Sequence, residues 1–178
     1  MTGSQSNAVL LTIMGKDRVG IVSAVTSYLF DTGANLADSA FAVLGEGFEF
    51  SCVAELEGAT EARELEEGLA ALDLLKGARI TACAFPFELM RDDRGTVSHT
   101  VEITGGDRPG LVARISEVLV NHGANIVRMN SRRISTNHGA DYRTRFAVNI
   151  ADEDLKLLEA ALFNTAGSMR LDLTVEAV

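Results

Sequence analysis

Gly15-Lys16-Asp17-Arg18-Val19-Gly20-Ile21-Val22, followed by Gly33-Ala34-Asn35-Leu36, is written a second time as Gly105-Gly106-Asp107-Arg108-Pro109-Gly110-Leu111-Val112 with Gly123-Ala124-Asn125-Ile126. The aspartates and the asparagines recur at the same offset of 90, and nine of the twenty-one positions from 15 to 35 are identical at that offset without a gap. Solenoid units repeat about every 20–50 residues, so a period this long marks tandem domains instead. The 178 residues therefore divide into two modules, expected at 1–86 and 96–178. The polar stretch 87–95, with Arg91-Asp92-Asp93-Arg94 just after Pro86, reads as the linker.

Around the first copy of the turn, Ala8 to Met14 is a short apolar run closed by Gly15, a buried strand. Val19 to Thr32 follows a helical period, with Ile21, Val22, Val25 and Leu29 as the apolar stripe. Gly33 ends it, because glycine takes the left-handed conformation without steric cost. Leu36 to Leu44 is extended, Gly45-Glu46-Gly47 turns, and Phe48 to Leu56 alternates with Phe48, Phe50, Cys52, Ala54 and Leu56 on one face. Thr60 is the expected N-cap of a helix bearing Leu65, Leu69 and Leu72, and Ala78 to Phe85 is the last strand.

The second module repeats the order. A strand spans Val97 to Ile103 and a helix Pro109 to His122, striped by Leu111, Val112, Ile115 and Leu119. Asn125 to Ser135 is extended, with a longer turn over 136–142. Arg143 to Ile150 then alternates with Phe146, Val148 and Ile150 inward. Asp152 caps a helix with Leu155, Leu158 and Leu162, and Arg170 to Val175 closes the sheet. Each module thus reads β-α-β-β-α-β. That is the ferredoxin-like α+β fold: a four-stranded antiparallel sheet in order 4-1-3-2 with both helices on one face.

In that order Cys52 and Cys83 lie two strands apart, about 9–10 Å, beyond the roughly 7 Å between Cα atoms that a bridge spans. Two buried free thiols are expected. A net charge of −9 opposes general affinity for nucleic acid or anionic membrane. No apolar run approaches the roughly 18 residues of a membrane span, and the polar start is no secretory signal, so a cytoplasmic protein is expected.

The turn is the candidate ligand site. A helix N-terminus offers unpaired N–H groups and a positive dipole end to a carboxylate. Gly20 and Gly110 open the main chain to a ligand. Asp17 or Asp107 accepts from an ammonium, and Asn35 or Asn125 both donates and accepts. Together these describe a free amino acid. The structural alternative is that the aspartates are helix caps and the asparagines satisfy the turn after the glycine.

These motifs and the element order resemble the ACT domain, a regulatory amino-acid-binding module, over nearly the whole chain, twice. Gly15 to Val22, Asn35-Leu-Ala-Asp-Ser39 and Ala42-Val-Leu-Gly-Glu46 further resemble the glycine cleavage system transcriptional repressor family, built of two ACT domains. The resemblance implies an amino-acid ligand and side-by-side pairing with ligands at an interface; glycine or serine is the first guess for the ligand, and no cofactor is expected. It also implies control of transcription through a protein partner such as an activator, without direct contact to DNA. By position, Asp17, Asn35, Asp107 and Asn125 would be the ligand residues. The chain departs from several ACT sensors, which carry Asn at 17 and 107, His at 15 and 105, and Pro at 19.

Arg128, Arg132, Arg133, Arg143 and Arg145 crowd the second hairpin, with Asp141 as the nearby carboxylate in sequence. Alternation puts Arg128 and Arg132 on one strand face and Arg133 on the other. They are either a grip for an acidic partner or a solvated sheet face. RNA binding through such a sheet needs stacking aromatics, and these strands offer Tyr142 and Phe146 alone. His99, His122 and His138 lack metal-ligand spacing, and no catalytic motif appears. An amino-acid sensor, a ligand-free interaction module and a small ferredoxin-like enzyme are the three readings in order of preference. A homo-oligomer is expected.

Overall fold

The computed structural model describes residues 7–56, 61–90, 92–106, 109–136 and 139–178. The chain divides into two compact units, Met1–Leu89 and Met90–Val178. The first contains β1 (Asn7–Lys16), α1 (Ile21–Asp31), β2 (Ala34–Leu44), β3 (Gly47–Leu56), α2 (Ala62–Ala70) and β4 (Arg79–Ala84). The second contains β5 (His99–Gly106), α3 (Leu111–Asn121), β6 (Asn125–Thr136), β7 (Gly139–Asn149), α4 (Asp152–Met169) and β8 (Asp172–Ala177). The sheets are ordered β2-β3-β1-β4 and β6-β7-β5-β8, all neighbours antiparallel. This is the tandem ferredoxin-like arrangement that the two periodicities predict.

Each sheet buries one face against its two helices. In the first unit Val9, Leu11, Ile13, Phe48, Phe50 and Cys52 meet Ile21, Val25, Leu29, Leu65 and Leu69. In the second, Val101, Ile103, Phe146 and Val148 meet Leu111, Ile115, Leu119, Leu158 and Leu162. The helical stripe read from the sequence is the one buried, except that Val22, one position round the helix, is 40% exposed.

Several local expectations are corrected. The N-cap of α2 is Glu61, whose N–H donates to the Glu64 carboxylate at 3.3 Å, and Thr60 lies outside the described residues. The N-cap of α4 is Ala151, and Asp152 belongs to its acidic first turn, where the dipole favours it. The second hairpin is tighter than a turn over 136–142: Thr136 pairs with Gly139, and 137–138 lie outside the described residues. Cys83 is exposed and Cys52 buried; both are free. The reason is the pleat. On β4, Ile80 and Ala82 pack against the core, while Cys83 pairs with Leu10 on the opposite face. Burial pushes the Cys52 thiol up to about 11.

Each first hairpin arm carries one irregularity. The β2–β3 register shifts between Leu36 and Asp38, and the β6–β7 register between Ile126 and Arg128, the same place in both repeats.

Candidate functional site

The turn between β1 and α1 begins where the Asp17 N–H donates to the Glu46 carbonyl at 3.0 Å, tying it to the tip of the β2–β3 hairpin. It ends at Gly20, the N-cap of α1, with φ 98° and ψ −4°. Its counterpart Gly110 caps α3 at φ 86° and ψ 0°. Both glycines are required by the left-handed backbone rather than by a close neighbour: a Cβ at Gly110 would meet nothing within 4 Å. Neither cap supplies a side-chain hydrogen bond. The cap reading of Asp17 is therefore excluded, since the cap is Gly20 and Asp17 stands exposed three residues earlier. Asp107 and Arg108 lie outside the described residues.

Asp17, Val19, Gly20 and Ser23 border a shallow hollow of about 290 Å³ whose far wall is Phe41 and Val43 of β2. Val19 at the apex is 99% exposed. The first turn of α1 borders this hollow, with Asp17 at its rim. In the second unit the hollow beside Gly110 runs instead between α3 and α4, past Arg114, Glu117, Thr165 and Ser168.

Gly15 and Gly105, where several ACT sensors carry histidine, are close-packed. A Cβ at Gly15 would lie 3.0 Å from Ala78 Cβ and 3.1 Å from Phe48 Cε1, and one at Gly105 2.6 Å from Leu171 Cδ2. The entry to the last strand occupies the space a histidine would need.

The asparagines stand elsewhere. Asn35 faces Glu55 on β3, whereas Lys16, just before the turn, faces Gly47 at the other end of that strand. At about 3.3 Å per residue, Asp17 and Asn35 are roughly 25–30 Å apart, too far for one small amino acid to touch both within a unit. Neither asparagine satisfies the turn after its glycine. The Asn35 amide donates to Glu55 Oε2 at 3.3 Å. The Asn125 amide donates to the Arg94 carbonyl at 2.8 Å, and Asn149 opposite it donates to the Asp93 carbonyl at 3.2 Å. The pair holds the short 3-10 turn Asp93–Gly95 that leads into β5.

Of the five arginines, Arg128, Arg132, Arg143 and Arg145 share the helix-free face of the second sheet, and Arg133 the other. The carboxylate that Arg143 and Arg145 meet is Glu102 of β5, distant in sequence, rather than Asp141. Arg145 donates to Glu102 Oε2 at 2.7 and 3.0 Å. Arg143 Nε lies 3.5 Å from Glu102 Oε1, an ion contact without hydrogen-bond geometry. Phe146 is fully buried on the helix side, so it offers no stacking platform. Among the described residues no group of three or more His, Cys, Asp or Glu is arranged to hold a metal, and no helix is long and apolar enough to cross a membrane.

The model of the ACT domain matches residues 7–75 and again residues 99–162. The chain is 31% identical over 134 residues to the glycine cleavage system transcriptional repressor of Escherichia coli (strain K12), covering 74% of this chain and 68% of that protein. The chain is a tandem ACT protein of that repressor's family. The repressor of Shigella flexneri matches to the same extent. Among solved structures, an unknown protein from Galdieria sulphuraria shares the fold with a TM-score of 0.75 at 23% identity, over 98% of this chain and 99% of that one.

Proposed function

We propose that this tandem ACT protein is a regulator that binds a small amino acid, glycine or serine first, and acts on transcription through a protein partner such as an activator rather than through DNA. The observation that carries the reading is the uncapped, glycine-started α1 behind an exposed Asp17, on a scaffold whose family is regulatory. The ligand carboxylate takes the first-turn N–H groups of α1, and its ammonium takes Asp17. Because Asp17 and Asn35 stand at opposite ends of one sheet, a ligand touching both kinds of residue needs another module of this type to supply the missing half. That agrees with the interface site the family resemblance implies. Asn35, held by a single exposed carboxylate, is freer to turn to a ligand than Asn125, which holds the entry to β5.

The deciding experiment is thermal unfolding of the full chain against the twenty amino acids at millimolar concentration. A ligand at a hundredfold excess over Kd stabilises the folded state by about 2.7 kcal/mol. A selective rise with glycine or serine, lost in Asp17→Ala, supports the sensor. A flat panel sinks it and leaves the ligand-free interaction module; turnover of an amino acid without any partner would favour a small enzyme.

A further inference from the structure

Over three rows the helix-free face of the second sheet is divided by charge along the strand order, with Asp141 of β7 in the row beyond them. Register places its outward residues in rows across β6, β7, β5 and β8. One row reads Arg128, Ala147, Thr100, Glu176; the next Asn130, Arg145, Glu102, Thr174; the third Arg132, Arg143, Thr104, Asp172. Four arginines thus occupy the β6–β7 half, while the carboxylates of these rows occupy the β5–β8 half.

Among the described residues the two halves do not neutralise each other beyond Glu102. Arg132 lies directly opposite Arg143, a like-charge cross-strand pair that is unfavourable unless compensated. Among the described residues no carboxylate pairs with the exposed Arg128 or Arg132, nor any cation with Asp172 or Glu176. β6 and β8 are three strand spacings apart, about 14 Å, which exceeds the Debye length of roughly 8 Å at physiological salt.

In the first unit the division has the opposite sign: Asp38, Glu49 and Glu55 face outward on β2 and β3, and Lys16 and Arg79 on β1 and β4. Matched by register to Ile13 and Ile103, the positions of Arg128, Arg132, Arg143 and Arg145 are Asp38, Ala42, Glu49 and Ser51. The arginines therefore belong to the second unit's own task and are no requirement of the fold.

We infer that this face docks on the same face of a second copy of the chain, about a two-fold axis parallel to the strands between β7 and β5. That operation sets β6 over β8 and β7 over β5 while keeping each row in place. Arg128 then meets Glu176 of the second copy, Arg132 meets its Asp172, and Arg145 meets its Glu102. In the same rows Arg143 stands over Thr104 and Asn130 over Thr174, so neither meets a like charge. The contact is isologous, as a closed dimer requires. A row made only of arginines would call for an acidic protein; carboxylates in the same rows make the face complementary to itself. The inference is independent of the amino-acid reading.

The test is sedimentation velocity of the full chain over a concentration series at 50 and 500 mM salt, with Arg132→Glu, Asp172→Arg and the double variant carrying both. Either single change sets like charges against each other twice per dimer and should weaken self-association at least tenfold. The double variant exchanges the charges and should restore it, and high salt should weaken the wild type. Both positions are exposed strand surface, and circular dichroism checks that each variant folds. Self-association insensitive to both single changes, or not restored in the double variant, overturns the inference. So does a wild-type monomer at low salt that instead retains a poly-glutamate peptide through Arg132, an outcome that would give the face to an acidic partner.

Discussion

In the first unit the helix-facing side of the third strand carries Phe48, Phe50 and Cys52; at the matching positions the second unit carries Tyr142, Thr144 and Phe146. The bulk has moved one pleat along the strand. Where Phe50 packs beside Phe41, the second unit has Thr144, fully buried, with its hydroxyl 2.8 Å from that of Ser131. Where Cys52 sits beside Leu11, it has Phe146 beside Val101. A core tolerates such exchanges when total volume and the polar accounting are kept. The lesson is that the backbone turn is what the repeats share, while the filling behind it was settled separately in each.

The largest test of that contrast is truncation of the relocated bulk. Phe146→Ala should cost about 3–5 kcal/mol of stability by urea unfolding, whereas Cys52→Ala at the matching position should cost far less. Equal losses would mean the two cores are filled alike.

The thiols sharpen it next. Cys52 has its pKa raised by burial to about 11, against 9.0 for an ordinary thiol. Its protonated form is therefore favoured on folding. That contribution is complete below the unfolded pKa near 9 and is lost as pH rises towards 11, on the order of 2 kcal/mol. The loss should vanish in Cys52→Ala. At pH 8 one thiol, Cys83, should react with Ellman's reagent in the native protein and two after unfolding.

The shared turn should answer the same way in both units. Gly20→Ala and Gly110→Ala each force a side chain into the left-handed region and should each cost about 1–2 kcal/mol. Unequal costs would show that the turns are not equivalent.

The smallest contrast lies in the asparagines. Asn125→Ala removes the hydrogen bond to the Arg94 carbonyl and should cost about 1 kcal/mol, with faster amide exchange over 93–96. Asn35→Ala removes an exposed contact to Glu55 and should be near neutral in the absence of ligand.

Much of this was legible beforehand. The 90-residue offset, the 3.6-residue stripes of α1 and α3, and the alternation of β3 each report a local regularity, and together they specify two split β-α-β sheets. Glu102 was not legible as the partner of Arg145, because the two lie 43 residues apart and only the register joins them. Two misses had a signal. Arg79-Ile80-Thr81-Ala82-Cys83 alternates, and that already puts Cys83 with the polar residues. Asn35 follows a helix that carries the chain back to the start of β1, so its distance from Asp17 is implied by the topology itself. The glycines at 15 and 105 were visible, but the packing of Ala78 and Leu171 that excludes a larger residue is tertiary.

The register shift near the start of β2 and β6 bears on how these edges meet other proteins. An edge strand is a template for any chain able to hydrogen-bond along it, and a bulge breaks that template. On β2 the regular ladder is left to Asp38–Leu44, and on β6 to the stretch from Arg128 onwards. The extra residue thus sets a length limit on strand addition: an incoming strand can run along the far part of either edge, and growth into a continuous, fibre-like sheet is interrupted at Leu36 and Ile126.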